Sequence, residues 1–425
     1  MIHKGLTEQE ERSKTGVRIR VLILIPNLFY GGAQNSLQLL YDYLRLDSRY
    51  DVIVSSFSDE SKEIMKTGNS NLNGSYFPLS LRSPGNIITK ILEFIARYFS
   101  LRGLKKSRDI DVTISFLESA NYLNVMTRCR DKVVISSRAT AIYDEDIKGV
   151  LGIIRKRILM PLLYRRSDQI VAISEGIRDE LIRHMKIKSR KIKVIYNSFD
   201  ISKIRELSRI KERKGPLSIP VIAFHGRLHR QKGIVEFLHV FKSLMDRISV
   251  RLIIVGDGPL LGSVVDFFES NKIRFCTDYS DFDARYQVCL TGYIREPYDI
   301  LANSTVYILP SYYEGFGRSL VEAMACGLPV LASDCPFGPR EILAPGTGYN
   351  RNLKKSEYTK YGVLMPVLRT QNAYRIWEEA LIRIINEREA QEYYREAAYK
   401  RSKDFDLNSM QKEWPRLLYT NRYLN

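Results

Sequence analysis

The stretch TVYILPSYYEGFGRSLVEAMACGLPVLAS (305–333) contains one complete strand–helix–strand unit of an α/β fold. An apolar run leads into a glycine-rich turn, and a helical pattern follows that should start near Arg318 or Ser319. Gly327 and Pro329 are typical of a helix end, and a second apolar run begins there. Strands that alternate with helices in this way predict a parallel sheet.

The same alternation runs through most of the 425 residues, a length that favours two domains. The predicted strands of the first half are RIRVLILI (18–25), DVIVSSF (51–57), DVTISFL (111–117), KVVISS (132–137), DQIVAIS (168–174) and KIKVIY (191–196). Those of the second half are IPVIAFHG (219–226), VRLIIVGDG (250–258), YQVCLTGY (286–293), TVYILPS (305–311), LPVLAS (328–333) and YGVLM (361–365).

The two series of strands are separated by ISKIRELSRIKERKGPL (201–217), which is charged and ends in Gly-Pro, as linkers do. We therefore expect one doubly wound, Rossmann-like domain over 1–200 and a second over 218–400. A helical segment over 401–425 follows and can cross back to the first domain. Ligands of open α/β sheets bind beyond the carboxyl ends of the strands, so the two domains are expected to face each other across a cleft.

Composition is that of a globular protein, with 44% apolar residues and a net charge of +18. Such an excess of positive charge suits an anionic partner, which leaves nucleic acid, an acidic membrane surface and phosphorylated substrates open. The five cysteines form no CxxC pair, which favours a reducing compartment and argues against structural zinc. Neither a signal peptide nor a membrane-spanning segment is predicted.

Two carboxylates flank the glycine-rich turn, Glu314 in the loop and Glu322 in the first turns of the helix. Gly315 and Gly317 permit a close approach of the backbone to a ligand, and the start of the helix favours an anion such as phosphate. Carboxylates accept hydrogen bonds from sugar hydroxyls. A capped helix with two solvated glutamates is an equal alternative on these grounds.

Two cations follow another predicted strand, since FHGRLHRQKG (224–233) contains Arg227 and Lys232. The arginine offers a planar fork to phosphate oxygens and the lysine a compact charge. Together these cations can offset the charge that grows on a departing diphosphate. Each alone would be an ordinary solvated side chain.

Glycines also follow two other strands. Gly31 and Gly32 in YGGAQ (30–34) permit close approach to a ligand, although a tight turn explains them equally well. GDGPLLG (256–262) has the spacing G-x-G-x-x-x-G and lacks a convincing acidic partner, which argues against nicotinamide binding.

EGFGRSLVEAMACGLPVLAS (314–333) resembles the E-x7-E motif of retaining glycosyltransferases with the two-domain GT-B architecture, family four, also called glycosyl transferases group 1. The tail CPFGPREIL (335–343) is similar to members that build bacterial surface polysaccharides. Further similar segments, in order, are GGAQNSLQLL (31–40), DQIVAISEGIRDEL (168–181), VIYNSFD (194–200), HGRLHRQKG (225–233), VGDGPL (255–260) and LTGY (290–293).

The resemblance implies that the first domain binds the acceptor and the second the nucleotide sugar. By resemblance, Glu322 binds the nucleotide ribose and Glu314 lies beside the donor hexose. Arg227 and Lys232 would stabilise the leaving diphosphate, which makes them catalytic together with Glu314. The predicted donor-binding residues are Gly31, Gly32, Arg138, Gly226, Gly256, Tyr293, Ile294, Gly315, Phe316, Gly317, Ser319 and Glu322.

One departure concerns a histidine that many family members carry after a strand of the first domain. The segment VVISSRATA (133–141) places Ser137 and Arg138 there instead. Arg138 can hold a phosphate or a sugar hydroxyl, and a surface arginine at a strand end is the alternative. Glu118 and Asn121 also end a strand and are weak candidates for acceptor contacts.

The resemblance implies transfer of a hexose or N-acetylhexosamine from a nucleotide sugar, with UDP favoured over GDP and no metal or other cofactor required. The acceptor would be a lipid-linked glycan in surface polysaccharide or lipopolysaccharide biosynthesis. The alternative is another sugar-nucleotide enzyme on this scaffold, such as an epimerase. A nucleic-acid-binding protein is a third hypothesis, but no nucleic-acid-binding motif is present, so we expect no nucleic-acid partner.

Two basic amphipathic segments in the first half are NIITKILEFIARYFSLRGLKKSR (86–108) and IKGVLGIIRKRILMPLLYRR (147–166). Such helices can lie on an anionic lipid surface. They can equally be ordinary helices with one face on the core. We expect a cytoplasmic protein that is peripheral on the inner face of the cell membrane.

Overall fold

The chain folds into two compact units, neither of which is one continuous stretch. The computed structural model describes residues 18–28, 31–57, 76–79, 87–143, 149–209, 219–283, 285–348 and 353–419. The first unit contains the residues up to Ile173, Ile177–Tyr196 and those from Met410 onward. The second contains Ser174–Gly176 and Asn197–Ser409.

A seven-stranded parallel sheet forms the centre of the first unit, in the order β3-β2-β1-β4-β5-β6-β7. Its strands are β1 (Ile19–Ile25), β2 (Tyr50–Ser56), β3 (Tyr76–Pro78), β4 (Val112–Phe116), β5 (Lys132–Ser137), β6 (Gln169–Ala172) and β7 (Ile192–Val194). Every residue of β4 is buried, because helices cover both faces of a parallel sheet.

Helices cover both faces of this sheet. They are α1 (Gly32–Leu46), α2 (Ile87–Ser107), α3 (Glu118–Met126), α4 (Gly149–Ile154), a π-helix (Arg155–Leu159), α5 (Met160–Arg166) and α6 (Glu175–Arg183), the last of which begins in the second unit. Right-handed crossovers place α1 on one face and the segments from α2 to α5 on the other. A buried ion pair fastens the end of α2, since Lys105 Nζ lies 2.8 Å from Asp131 Oδ2.

The last helix, α15 (Leu407–Leu418), contributes its residues from Met410 onward to the first unit. Lys193 Nζ lies 2.9 Å from Glu413 Oε2, and Tyr43 donates a hydrogen bond to the carbonyl of Gln411. The apolar face of this helix is buried, and it consists of Met410, Trp414, Leu417 and Leu418.

An eight-stranded sheet forms the second unit, in the order β10-β11-β9-β8-β12-β13-β15-β14, with only β14 antiparallel to its neighbour. Its strands are β8 (Val221–His225), β9 (Arg251–Val255), β10 (Phe275–Cys276), β11 (Val288–Gly292), β12 (Val306–Leu309), β13 (Val330–Ser333), β14 (Glu357–Tyr358) and β15 (Val363–Met365). All twelve predicted strands are present, and both units are doubly wound, so the predicted fold class is confirmed. The short strands β3, β10 and β14 were not predicted.

The helices of the second unit include one that the sequence analysis assigned to a linker. They are α7 (Ile201–Leu207), α8 (Ile234–Met245), α9 (Leu261–Ser270), α10 (Tyr298–Ala302), α11 (Arg318–Ala325), α12 (Pro339–Leu343), α13 (Gln371–Asn386) and α14 (Arg388–Ser402). The helix α7 lies inside the predicted linker. The side chain of Asp200 caps its start, and the buried side chains of Ile201 and Ile204 stabilise it. Residues 210–217 of that linker lie outside the described residues.

Candidate functional site

The carboxyl ends of β8, β9, β11 and β12 carry most of the predicted donor-binding residues. Helix α11 begins where predicted, after Gly317, which has a φ of +97° that favours glycine. No side chain caps this helix, and the start of a helix favours an anion. Ser319 in its first turn is buried, and its hydroxyl has no hydrogen-bond partner among the described residues.

Lys232 and Glu314 form an ion pair at this edge of the sheet. Lys232 ends a single 3-10 turn after β8, and its Nζ lies 2.7 Å from Glu314 Oε1. Ser311 Oγ donates a second hydrogen bond of 2.7 Å to the same oxygen. Both side chains are largely buried, so each charge depends on the other for compensation.

Arg227 differs from Lys232 although both follow β8. Its side chain is exposed and has neither a hydrogen bond nor an ion pair within the described parts of the chain. The guanidinium can therefore bind an anionic ligand without giving up a hydrogen bond or an ion pair to the described residues.

Glu322 lies in the second turn of α11 between two neighbours. Arg318 donates to Oε1 over 3.4 Å, and His225 Nδ1 lies 3.6 Å from Oε2. Burial lowers the pKa of His225, Glu322 opposes that shift, and the charges of Lys232 and Arg318 add to it. The sequence analysis missed His225, because it looked for a histidine only in the first domain.

The loops after β8, β9 and β11 approach each other through their backbones. Gly256 has a φ of +151°, and a Cβ there would lie 1.9 Å from the carbonyl oxygen of Gly226. Only glycine fits at position 256, so the close packing of the two loops alone requires this residue. The N–H of Gly256 also donates to the carbonyl of Gly292. The two base-contact candidates follow that glycine: the side chain of Tyr293 is half exposed, and Ile294 packs on the core.

Phe316 corrects one expectation about the donor site. Its ring is buried and packs edge-on against Phe405 with centroids 5.3 Å apart. The side chain therefore belongs to the core, and only the backbone around Gly315 and Gly317 can address a ligand.

The loop of CPFGPREIL holds the glycine-rich turn in place, a role that the sequence analysis did not assign. The N–H of Glu314 donates to the carbonyl of Pro336 over 2.6 Å, and the N–H of Phe337 donates back to the carbonyl of Glu314 over 2.9 Å. Arg340 braces that loop from within, since it binds both oxygens of Asp334 at 2.8 Å.

In the first unit, Arg138 lies at the start of α1. Its guanidinium donates to Ser36 Oγ over 2.6 Å, and that hydroxyl donates to the carbonyl of Gly32. The same guanidinium lies over the ring of Phe116, 5.2 Å from the centroid. The structure thus brings Arg138 together with the predicted Gly31–Gly32 loop.

Glu180 supports the loop that carries Arg138, although no sequence motif pointed to this residue. This buried carboxylate accepts hydrogen bonds from Thr140 Oγ1 and from the N–H of Ala141. Burial raises the pKa of Glu180, and these hydrogen bonds oppose that shift.

The two weak acceptor candidates have internal partners. Asn121 is buried; its amide donates to the Ser136 carbonyl and the Tyr164 hydroxyl and accepts from Ser115. We therefore withdraw Asn121 from the acceptor site. Glu118 is held by Arg155 of the π-helix and by the Tyr122 hydroxyl, so it must exchange partners to bind an acceptor.

Two kinds of feature are absent from the described residues. No group of three or more His, Cys, Asp or Glu side chains there is placed to hold a metal ion. Likewise, none of the helices in those parts of the chain has the length and apolar character needed to cross a membrane.

Comparison with known proteins adds two family models, one for each half of the chain. The model of glycosyl transferases group 1 matches residues 208–401, and that of glycosyltransferase family 4 matches residues 30–203.

Individual proteins are also similar to this chain. An uncharacterized glycosyltransferase of Methanocaldococcus jannaschii is 28% identical over 60% of this chain and 64% of its own length. An N-acetylgalactosamine-N,N'-diacetylbacillosaminyl-diphospho-undecaprenol 4-alpha-N-acetylgalactosaminyltransferase of Campylobacter jejuni is 25% identical over 60% of this chain and 67% of its own length. The matches thus span about two thirds of both relatives.

The solved structure of HepE from Anabaena, in complex with UDP and glucose, aligns with a TM-score of 0.69. The alignment covers 94% of this chain and 99% of HepE at 18% identity, and at that identity it shows a shared fold. The family models in both halves, the relatives and this fold agree: the chain is a glycosyltransferase with the GT-B fold.

Proposed function

We propose that the chain is a retaining glycosyltransferase that moves a hexose or N-acetylhexosamine from a nucleotide sugar to a lipid-linked glycan acceptor. The observation that carries this proposal is the cluster at the carboxyl edge of the second sheet. It combines the Lys232–Glu314 pair, the unpartnered Arg227 and the uncapped start of α11. An anion with attached hydroxyl groups, such as a sugar diphosphate, suits that combination.

The donor diphosphate would lie at Arg227, Lys232 and the start of α11, and Glu322 would accept hydrogen bonds from the ribose hydroxyls. Glu314 would lie beside the hexose. The bond from the anomeric carbon to the phosphate oxygen breaks, and the acceptor oxygen bonds to that carbon from the same face. The departing phosphate oxygen takes the acceptor's proton. The cations stabilise the leaving charge, so we propose that no metal is required.

UDP is proposed as the nucleotide rather than GDP. The Anabaena structure contains UDP, and the resemblance to surface-polysaccharide enzymes points the same way. The diphospho-undecaprenol acceptor in the name of the Campylobacter relative supports a lipid-linked acceptor and a role in surface polysaccharide or lipopolysaccharide biosynthesis. A net charge of +18 would attract the protein to an anionic membrane surface, and we propose that it acts at the inner face of the cell membrane.

Thermal unfolding with UDP, GDP, NAD and an oligonucleotide tests the donor. We expect UDP to raise Tm most and Glu322→Gln to abolish that rise, with Glu396→Gln, an exposed position on α14, as the matched control. A rise with NAD or the oligonucleotide alone would contradict the proposal.

The products of turnover distinguish sugar transfer from epimerisation. The similar proteins named above are glycosyltransferases and do not favour an epimerase. Each sugar nucleotide of a panel is incubated with and without membrane lipid extract, which supplies the acceptor. Nucleoside diphosphate should be released only in the presence of the extract, and a metal chelator should leave the rate of release unchanged. An epimerase would convert the sugar nucleotide without acceptor. The anomeric configuration of the product, determined by NMR, decides between retention and inversion.

A further inference from the structure

Two helical segments of the first unit leave large apolar side chains in solvent. On α2 the exposed ones are Ile91, Leu92, Phe94, Ile95 and Phe99. On residues 149–166 they are Val150, Ile153, Ile154, Ile158, Leu159 and Leu162. These eleven are most of the eighteen large hydrophobic side chains that the described residues expose, and a solvated helix surface does not explain such a concentration.

The exposed stripe of α2 changes from apolar to basic along the helix. Ile91, Ile95 and Phe99 are spaced by four residues and therefore share one face. Arg102 and Lys106 continue that face, three and then four residues further along the helix. Phe99 is 65% exposed, and the core contacts of α2 lie on its other side, at Leu101 and Lys105.

The second stripe also combines exposed apolar side chains with basic ones, and its alignment depends on the π-helix. Val150, Ile154, Ile158 and Leu162 are spaced by four residues, a spacing that drifts around an ordinary α-helix. A π turn takes in more residues than an α turn, so the π segment Arg155–Leu159 offsets that drift and keeps the four side chains aligned. Residues 149–166 contain five basic residues and no acidic one.

Both stripes lie on one side of the first unit. Helices α2, α3 and α5 cover the same face of the sheet, and α3 packs against both of the others. The side chains that point away from the sheet on α2 and on 149–166 thus form one surface, which we call the docking face. It combines the exposed apolar side chains with basic ones, Arg102 and Lys106 on α2 and the five arginines and lysines within 149–166.

We propose that the docking face binds the surface of a bilayer that contains anionic lipid. The apolar side chains enter the interface between headgroups and acyl chains, while Lys106, Arg157 and Arg166 reach the lipid phosphates. A neutral protein partner would match the apolar stripe and leave these cations unpaired. The inference rests on the proposed lipid-linked acceptor, because docking brings the first unit to the surface where such an acceptor lies.

Sedimentation with vesicles tests docking without any sugar nucleotide, so its result does not depend on the proposed transferase activity. The vesicles are phosphatidylcholine alone and phosphatidylcholine with about 30% phosphatidylglycerol. We expect the full chain to sediment with the anionic vesicles at least about tenfold more strongly, and raised salt to weaken that binding.

Two pairs of matched variants separate the apolar and the basic contributions. Phe99→Ser with Ile158→Ser should weaken binding about tenfold or more, and Leu46→Ser, 81% exposed on the opposite face of the sheet, should leave it unchanged. Lys106→Glu with Arg157→Glu should weaken binding to anionic vesicles by a similar factor. Lys354→Glu with Lys355→Glu, the same change of charge on the second unit, should have little effect.

Three outcomes would overturn the proposal. The first is equal sedimentation with both kinds of vesicle. The second is equal weakening by the control variants. The third is a dimer in lipid-free solution that Ile158→Ser dissociates, which would assign the face to a second copy of this chain. Thermal unfolding of each variant shows whether the unit remains folded, since all the substituted side chains are exposed.

Discussion

His225 and Glu322 are neighbours inside the second unit, with Nδ1 of the imidazole 3.6 Å from Oε2 of the carboxylate. Burial lowers the pKa of His225, and the charge of Glu322 opposes that shift. Lys232 and Arg318 face the same imidazole and lower its pKa further. The ribose-binding candidate Glu322 thus lies beside a buried histidine whose pKa is lowered.

The lowered pKa of His225 predicts a stability that depends on pH. As pH falls below the unfolded value of about 6.5, the unfolded chain binds a proton that the folded chain does not, so acid destabilises the fold. From about pH 7.5 to about pH 5.5 the free energy of unfolding should fall by about 1 kcal/mol more in the native chain than in His225→Asn. Chemical denaturation at both values measures this difference, and an equal fall in both proteins would contradict it.

Substitution of Lys232 should cost both stability and activity. Lys232→Met leaves the buried Glu314 carboxylate without its cation, at a cost of about 3 kcal/mol. In the double variant Lys232→Met with Glu314→Gln the unfolding free energy should recover while turnover stays low. Denaturation and nucleotide release are the two measurements. Recovery of turnover in the double variant would mean that Lys232 acts only through folding.

Substitution of Arg227 should cost activity alone. Its side chain is exposed and makes no hydrogen bond or ion pair in the described chain, so Arg227→Ala should leave Tm unchanged. Turnover should fall by about 10²-fold or more, since the leaving diphosphate loses a cation. Arg274→Ala, another exposed arginine, is the control and should behave as the native chain does. Near-native turnover of Arg227→Ala would remove this residue from the site.

Arg138 should matter through its own charge rather than through Ser36. Arg138→Ala should lower turnover by about tenfold or more, because the proposed charge-assisted contact to the donor would be lost. Ser36→Ala removes one hydrogen bond of the guanidinium and keeps the charge, so its effect should be several times smaller. Steady-state rates at saturating acceptor compare the two. Equal effects would assign Arg138 to holding the start of α1.

Asn121 should affect folding and leave acceptor binding alone. Asn121→Ala leaves the Ser136 carbonyl and the Ser115 and Tyr164 hydroxyls without their buried partner, at about 2 to 3 kcal/mol. Denaturation measures the loss, and KM for the acceptor should stay at the native value. A raised KM with native stability would restore the acceptor role.

Sequence pattern predicted the strands well because parallel strands buried on both faces need unbroken apolar runs, as β4 and β9 show. The strands β10 and β14 have two residues each, too few for a pattern. The helix α7 was assigned to a linker because its seven residues are mostly polar, although two buried isoleucines are enough to fix it.

Within the site, residues next to a strand end could be located from the sequence, whereas their partners could not. Glu314 and Lys232 are 82 residues apart in sequence, and only the order of strands brings them together. The resemblance implied a donor contact for Phe316, but its buried ring packs against Phe405 from a distant part of the chain.

The return of the last helix to the first unit bears on how this protein can be dissected. A fragment ending near residue 200 would leave bare the groove that Met410, Trp414, Leu417 and Leu418 now fill, and such a fragment should aggregate. To obtain the first unit as a soluble fragment, residues 407–419 should be joined to the amino-terminal piece through a short linker or added as a separate peptide.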